Sequence, residues 1–266
     1  MATLKDVAKE AGLTVTTVSR ILNNRGYISE NARQRVADAM KKLNYRPNEL
    51  ARSLQNNSST TIGVIVPHIR HPYFAEVISN LENEAFKKGY KILLCNSRCI
   101  DERAKAYVEI CSSNRVAGII LLSGAIDVNL FADLDVPVIT MERFLDSGTA
   151  SVECDNYQGG KLAAEKLISC GCRHLMHVGS LNRSLPMPAD LRSEGFQEIC
   201  RQHKIPFIEL MTEEDQFYSM NYEEMLEQAL RKHPETDGLF ANSDIIAAQA
   251  LQVCYKLKKK KKKKLK

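Results

Sequence analysis

Gly12 stands between two short amphipathic segments, TLKDVAKEA and TVTTVSRILN. That arrangement leaves residues 3–23 little choice but a helix, a tight turn and a second helix. Thr3 is an N-cap, with Asp6 three residues on to complement the helix start. Val7, Ala8 and Ala11 place small apolar groups on one face, and Thr14 caps the second helix. In that helix Val18, Ile21 and Leu22 are expected to point inward, leaving Val15, Thr16, Thr17, Ser19 and Arg20 outside. A short helix showing hydroxyls and an arginine, braced by a preceding helix, is what a DNA major groove accepts. The plain alternative is an αα-hairpin with a solvated face. Ser29 caps a third helix running to about Leu43, with Val36, Ala39, Met40 and Leu43 on its buried side.

Beyond Thr60 the pattern changes to alternating strands and helices. Apolar runs at 62–66, 91–94, 118–122, 136–140, 175–178 and 237–241 have the near-continuous character of buried parallel strands. Helical patterns lie between them, near 72–88, 101–114, 157–170, 191–203 and 222–232. The fold class expected is an all-α helix-turn-helix head followed by a doubly wound α/β unit. The polar stretch NNSSTT, 56–61, is the natural boundary. No N-terminal apolar signal region and no apolar run of membrane length is present, so a cytoplasmic protein is expected. Eight cysteines without a secretion signal read as reduced thiols.

Charge is unevenly spread. Residues 1–60 carry ten Lys/Arg against five Asp/Glu, and residues 256–266 carry nine Lys and no acid. The overall +5 therefore leaves −9 for residues 61–255. A basic head on an acidic body concentrates attraction for polyanions at the helix-turn-helix.

The chain resembles the LacI/GalR family of bacterial transcription repressors. DVAKEAGLTVTTVSRILN, the NYRPN joint and the ARSL segment stand in the family's order and spacing. The likeness continues through TIGVIVP, YFAEVISNLE, KKGYKILLCNS, VAGIILL, DNYQGG, RSEGF and FANSDIIAAQAL, covering residues 2–255. It implies a head over 1–47, a hinge helix and linker over 48–60, a sensor of two periplasmic-binding-protein-like subdomains over 61–255, and a lysine-rich tail over 256–266.

The resemblance also assigns roles. Val15, Thr16 and Arg20 match the base-reading positions, and Arg20 can pair bidentately with a guanine edge. Thr14, Thr17, Ser19, Asn23, Ser29 and Tyr45 match positions that grip phosphates. Asn48, Ala51 and Leu54 match the hinge, with Leu54 a minor-groove wedge and Ala51 small enough for paired hinge helices. Two heads on a near-palindromic operator imply a homodimer. A small effector is expected between the sensor subdomains, held by Asp155, Asn156, Arg192, Ser243 and Asp244, with Asn242 beside them. Tyr73 and Phe74 would wall the cleft, and Arg143 is a further candidate. Such a set suits a polyhydroxylated ligand, a sugar or sugar phosphate, because each hydroxyl wants a donor and an acceptor. Asp155 and Arg192 read alternatively as a helix cap and a surface ion pair. His68, Arg70 and His71 depart from the family's Asp/Asn-rich loop. Their basic character admits an acidic ligand, unless the histidines are merely solvated.

No catalytic Ser/His/Asp or Cys/His arrangement is present, so an enzyme is not expected, nor is any cofactor. Cys170, Cys172, His174 and His177 have poor zinc spacing, and no metal is expected. The family's pattern stops at ALQVCYKL, where a lysine run follows. That predicts underburied faces at 237–241 and 245–253 and an aggregation-prone sensor. The function expected is effector-controlled repression of a carbohydrate operon. A purine-corepressed regulator and a DNA-binding fragment without effector control are the alternatives. The intact recognition helix argues against a non-regulatory sugar-binding protein.

Overall fold

In the computed structural model, residues 2–46, 59–98, 100–122, 136–143, 150–181 and 187–257 are described. The chain divides into two compact units, Met1–Ser59 and Thr60–Lys266. The hinge positions Asn48, Ala51 and Leu54 and the lysine run from 258 lie outside the described residues.

The first unit is built from α1 (Leu4–Glu10), α2 (Val15–Leu22) and α3 (Glu30–Lys42). Thr3 and Asp6 form a reciprocal capping box, the Thr3 N–H donating to Asp6 at 2.8 Å and the Asp6 N–H to Thr3 Oγ1 at 3.3 Å. Those bonds to the ionised form hold the Asp6 carboxyl below its usual value. Gly12 has φ +62°, a left-handed turn that favours glycine. Arg35 of α3 seals this turn, its Nη2 donating to Ala11 O at 2.5 Å and Gly12 O at 3.1 Å. Val7, Ala8, Ala11, Val18, Val36 and Ala39 form the core, flanked by Ile21, Leu22, Met40, Leu43 and Tyr45.

The second unit holds two parallel sheets. The first contains β1 (Thr61–Val66), β2 (Lys91–Asn96), β3 (Gly118–Leu122), β4 (Val138–Met141) and β5 (Ala150–Val152), in spatial order β2-β1-β3-β4-β5. Alternation along β1 sends Ile65 to one face, against Ala104, Val108 and Cys111 of α5 (Asp101–Ser113). Val64 and Val66 go to the other, against Phe74 and Leu81 of α4 (Pro72–Lys87). The second sheet contains β6 (Leu175–Leu181), β7 (Phe207–Thr212) and β8 (Gly238–Ala241), in order β7-β6-β8. α6 (Asn156–Ser169) and α7 (Leu191–Gln202) cover its Leu175 face. α9 (Glu223–Lys232) and α10 (Asp244–Lys256) cover Met176 and Val178 on the other, and α8 (Glu214–Ser219) follows β7.

Four of these elements are absent from the sequence reading: β5, β7, α8 and α10. β5 is three exposed residues, and β7 is a half-buried edge strand without a continuous apolar run. The burial expectation for 245–253 is corrected at Ile246, Ala250 and Val253, which close over β6 in the core, while Leu251 stays 47% exposed.

Candidate functional site

The exposed side of α2 is the first site. Thr14 caps the helix, accepting from the Thr17 N–H at 3.1 Å, and the two hydroxyls lie 2.9 Å apart. Val18 is fully buried, which rotates Val15, Thr16 and Arg20 outward, and Val15 is 39% exposed. The Arg20 guanidinium lies beside Gly26. Asn23 ends the helix and reaches Ser19 at 3.5 Å, while Ser29 caps α3 by accepting from the Ala32 N–H. Tyr45 packs against the core and is half-buried. The face therefore presents one apolar group, one hydroxyl and one guanidinium on a preformed helix.

The second site lies where strand ends meet in the second unit. In both sheets the chain order switches about a central strand, and such crevices at the carboxyl ends of strands receive ligands. Glu142 follows β4 with φ 54°, its carboxylate aimed along the crossing to α6. It accepts from the Cys154 N–H at 2.7 Å and from Asn156 Nδ2 at 2.7 Å. Arg192, second residue of α7, donates from Nε to Asn156 Oδ1 at 2.7 Å and from Nη1 to Asn242 O at 3.3 Å. A continuous polar string thus runs from the first sheet to the end of β8. Tyr73 borders it: burial raises its phenol pKa, the charges of Glu142 and Cys154 push the same way, and Arg192 opposes them.

The candidates from sequence separate into distinct environments. Asn156 is buried within the string, and Arg192 is half-buried. Asp155 caps α6, its Oδ1 accepting from the Gln158 N–H at 3.0 Å. Ser243 caps α10, accepting from the Ile246 N–H at 3.3 Å, and Asp244 beside it is exposed. Tyr73 is 47% exposed, whereas Phe74 is 6% exposed and belongs to the core of the first sheet. Arg143 is buried, its carbonyl accepting from Thr140 and Ser151. The histidines of the basic loop turn inward. His68 Nδ1 accepts from the Arg70 N–H at 3.2 Å, so Nε2 carries the hydrogen donated to Tyr218 O at 3.0 Å. His71 stacks on Phe217 at 5.6 Å between centroids, and burial lowers its pKa, with His68 nearby adding to the effect. Arg70 alone of the three stays exposed.

Sequence reading missed Glu142, Phe217 and Tyr218. An acid immediately beyond a buried strand was the available signal for Glu142, whereas a six-residue helix gave none for the aromatic pair.

Comparison with known proteins adds a family. Residues 3–48 match the model described as bacterial regulatory proteins, lacI family, and residues 59–264 that of periplasmic binding proteins and sugar binding domain of LacI family. A ribose operon repressor of Halalkalibacterium halodurans is 33% identical, covering 98% of this chain and 77% of that protein. A sucrose operon repressor of Streptococcus mutans is 37% identical, covering 97% and 78%. Among solved structures, the lac repressor dimer bound to operator and the anti-inducer ONPF superposes with a TM-score of 0.84 at 24% identity, over 96% of this chain and 78% of that one. A LacI transcriptional regulator from Alkaliphilus metalliredigens complexed with D-xylulofuranose gives a TM-score of 0.64 at 29% identity, over 75% and 73%.

Proposed function

The chain belongs to the LacI family of bacterial regulatory proteins, and on that premise we propose that it represses a carbohydrate-utilisation operon under the control of a sugar bound between its two sheets. The observation that carries this reading is the string Glu142–Asn156–Arg192–Asn242, which joins both sheets through three side chains and the Asn242 main-chain carbonyl, groups suited to hydroxyls. A sugar that draws Glu142 out of the string changes the link between the sheets, which is the differential contact that population shift requires.

The remaining roles follow. Val15, Thr16 and Arg20 read bases, while Thr14, Thr17, Ser19, Asn23, Ser29 and Tyr45 hold the backbone. Asn48, Ala51 and Leu54 serve the minor groove, and two copies of the chain bind a near-palindromic operator. Asn156, Arg192 and Tyr73 face the sugar directly. Asp155 and Ser243 spend a hydrogen-bonding oxygen on helix caps and hold the walls in place. Arg143 and Asp244 act at its edges, while Phe74 belongs to the core of the first sheet. The sensor comprises residues 61–255, the head 1–47 and the linker 48–60. The reaction chemistry of an enzyme has no part in this reading, and the protein acts in the cytoplasm, where its DNA lies.

The test is selection of operator sequences from a fragment library by the full chain, followed by titration of the complex with D-ribose, sucrose and hypoxanthine. Release by a sugar is the expected outcome. Strengthening by the purine would replace the reading with a corepressed regulator. Binding that falls steeply with salt and shows no sequence preference would sink it altogether.

A further inference from the structure

Outside the string, the described residues include a buried histidine in the middle of a strand with no role so far. His177 occupies the centre of β6, paired in register with Glu209 on β7 and Phe240 on β8. Its side chain is fully enclosed, stacked 5.0 Å from the Phe240 ring and 5.5 Å from Phe196. Enclosing a polar ring among aromatics is unfavourable unless its nitrogens are used. One of them is: Nε2 lies 3.0 Å from Asn242 Oδ1, while Nδ1, 3.4 Å from Glu209 Oε1, makes no hydrogen bond among the described residues, which leaves the ring hydrogen to Nε2. Glu209 is itself anchored, accepting from Ser193 and from Gln197 Nε2 at 2.7 Å. Gly179, two residues after His177 on the same face of β6, leaves space for the Asn242 side chain to approach.

A carboxamide has two chemically opposite ends, an accepting oxygen and a donating amino group, and a site that uses Asn must fix which end faces the ligand. We propose that His177 is the positioning residue that fixes it. Its Nε2–H, held in a socket by Phe240, Phe196 and Glu209, takes the Asn242 oxygen, so the amino group is the end left for a ligand. The inference rests on reading the cleft as a sugar site.

The consequence is a polarity rule for the effector. On the β8 side, among the described residues, the cleft offers the Asn242 amino group and Nη2 of Arg192 as donors, with the Asp244 carboxylate an acceptor only at its edge. On the β4 side it offers the Glu142 carboxylate, an acceptor. The ligand therefore presents acceptor oxygens toward Asn242 and Arg192 and a hydroxyl hydrogen toward Glu142. A sugar bound in the reverse sense leaves buried groups unpaired and is rejected.

The test is calorimetric titration of the full chain with D-ribose and with sucrose, in wild type, His177→Leu, His177→Gln and Asn242→Asp. Gln can return an N–H to the place of Nε2, whereas Leu cannot, and Asp keeps the bond to His177 but lacks the amino group. The expected result is about tenfold or greater weakening for Leu and Asp, and recovery to within about threefold of wild type for Gln. Equal losses in Leu and Gln variants that melt as wild type does would show that His177 merely fills space. Undiminished binding by Asn242→Asp would overturn the donor assignment. A second measurement needs no sugar: the ¹⁵N spectrum of the His177 imidazole, assigned by its change in Asn242→Ala. A proton on Nε2 supports the proposal, and a bare Nε2 overturns it because Asn242 would then face the other way. If neither sugar binds wild type, the sugar reading fails, and the spectrum still decides the Asn242 orientation.

Discussion

Gly159 and Gly160 are neighbours in the interior of α6, yet alanine at the two positions is expected to act in opposite senses. A β-carbon at Gly159 meets open space, so Ala there gains the ordinary helix-propensity difference, about 0.5–1 kcal/mol. A β-carbon at Gly160 runs into the backbone of α7, at Arg192 O and Phe196 N. Gly195 of α7 meets the α6 backbone at Tyr157 in the same way, so the two helices touch main chain to main chain. Carbonyls and amides inside helices cannot rotate aside as a side chain does, and restoring normal contact requires the helices to part by roughly 1 Å. Overpacking of this kind costs about 1–3 kcal/mol, and the unyielding partner puts Gly160→Ala at the upper end. After the propensity gain, a net loss of about 2 kcal/mol remains. For a unit of this size that lowers Tm by about 4–8 °C, against a rise of about 2 °C for Gly159→Ala. Parting the helices also shifts Arg192 relative to Asn156, stretching their 2.7 Å bond, so Gly160→Ala should blunt the response to sugar as well. Thermal melts of both variants and sugar titration of the operator complex read the two effects. A Gly160→Ala protein as stable as Gly159→Ala would refute the claim that backbone contact between α6 and α7 sets the site.

Arg192→Ala should abolish release by sugar while operator binding persists without it; an unchanged sugar titration would remove Arg192 from the pocket. Arg20→Ala should cost roughly 1–3 kcal/mol and relax preference at one base of each half-site, and equal loss on operator and random DNA would contradict base reading. Arg35→Ala removes two charged hydrogen bonds from the helix-turn-helix turn and should destabilise the head by about 1–3 kcal/mol, checked by denaturant titration. The lowered pKa of His71 gives a pH dependence with a definite sign. The unfolded chain takes up this proton more readily than the folded one, so stability is full above the unfolded value of about 6.5 and falls as the pH drops below it. His71→Phe keeps the stack on Phe217 and should flatten this limb in melts between pH 5 and 7.5; an unaltered slope would point to another group.

Local chemistry made the head legible. Thr3, Gly12, Thr14 and Ser29 each act in the structure as their side chains predict, because caps and a left-handed glycine depend on few neighbours. Long apolar strands such as Thr61–Val66 and Gly118–Leu122 were equally plain, since burial on both faces demands an unbroken run. Edge elements were not. Phe207–Thr212 is half-buried along most of its length, so neither period nor composition marked it. In the cleft, the types of residue could be named but not their partners. Nothing local distinguishes Asp155 as a cap from Asp155 as a ligand, and the amide of Asn242 is oriented by His177, sixty-five positions earlier. Phe74 was drawn to the cleft by its neighbour Tyr73, yet adjacent residues on a helix face different directions, and Phe74 took the core.

Glu142 has a consequence for how effectors should be ranked. Among the described residues the chain passes from the first sheet to the second through Glu153, Cys154 and Asp155. The Glu142 carboxylate straddles that passage, bonded to Cys154 on one side and Asn156 on the other. Affinity and efficacy are therefore carried by different atoms. A sugar analogue gripped only by Asn242 and Arg192 occupies the cleft without loosening the joint and behaves as a silent competitor. One whose hydroxyl also draws Glu142 away is a full agonist, however weakly it binds.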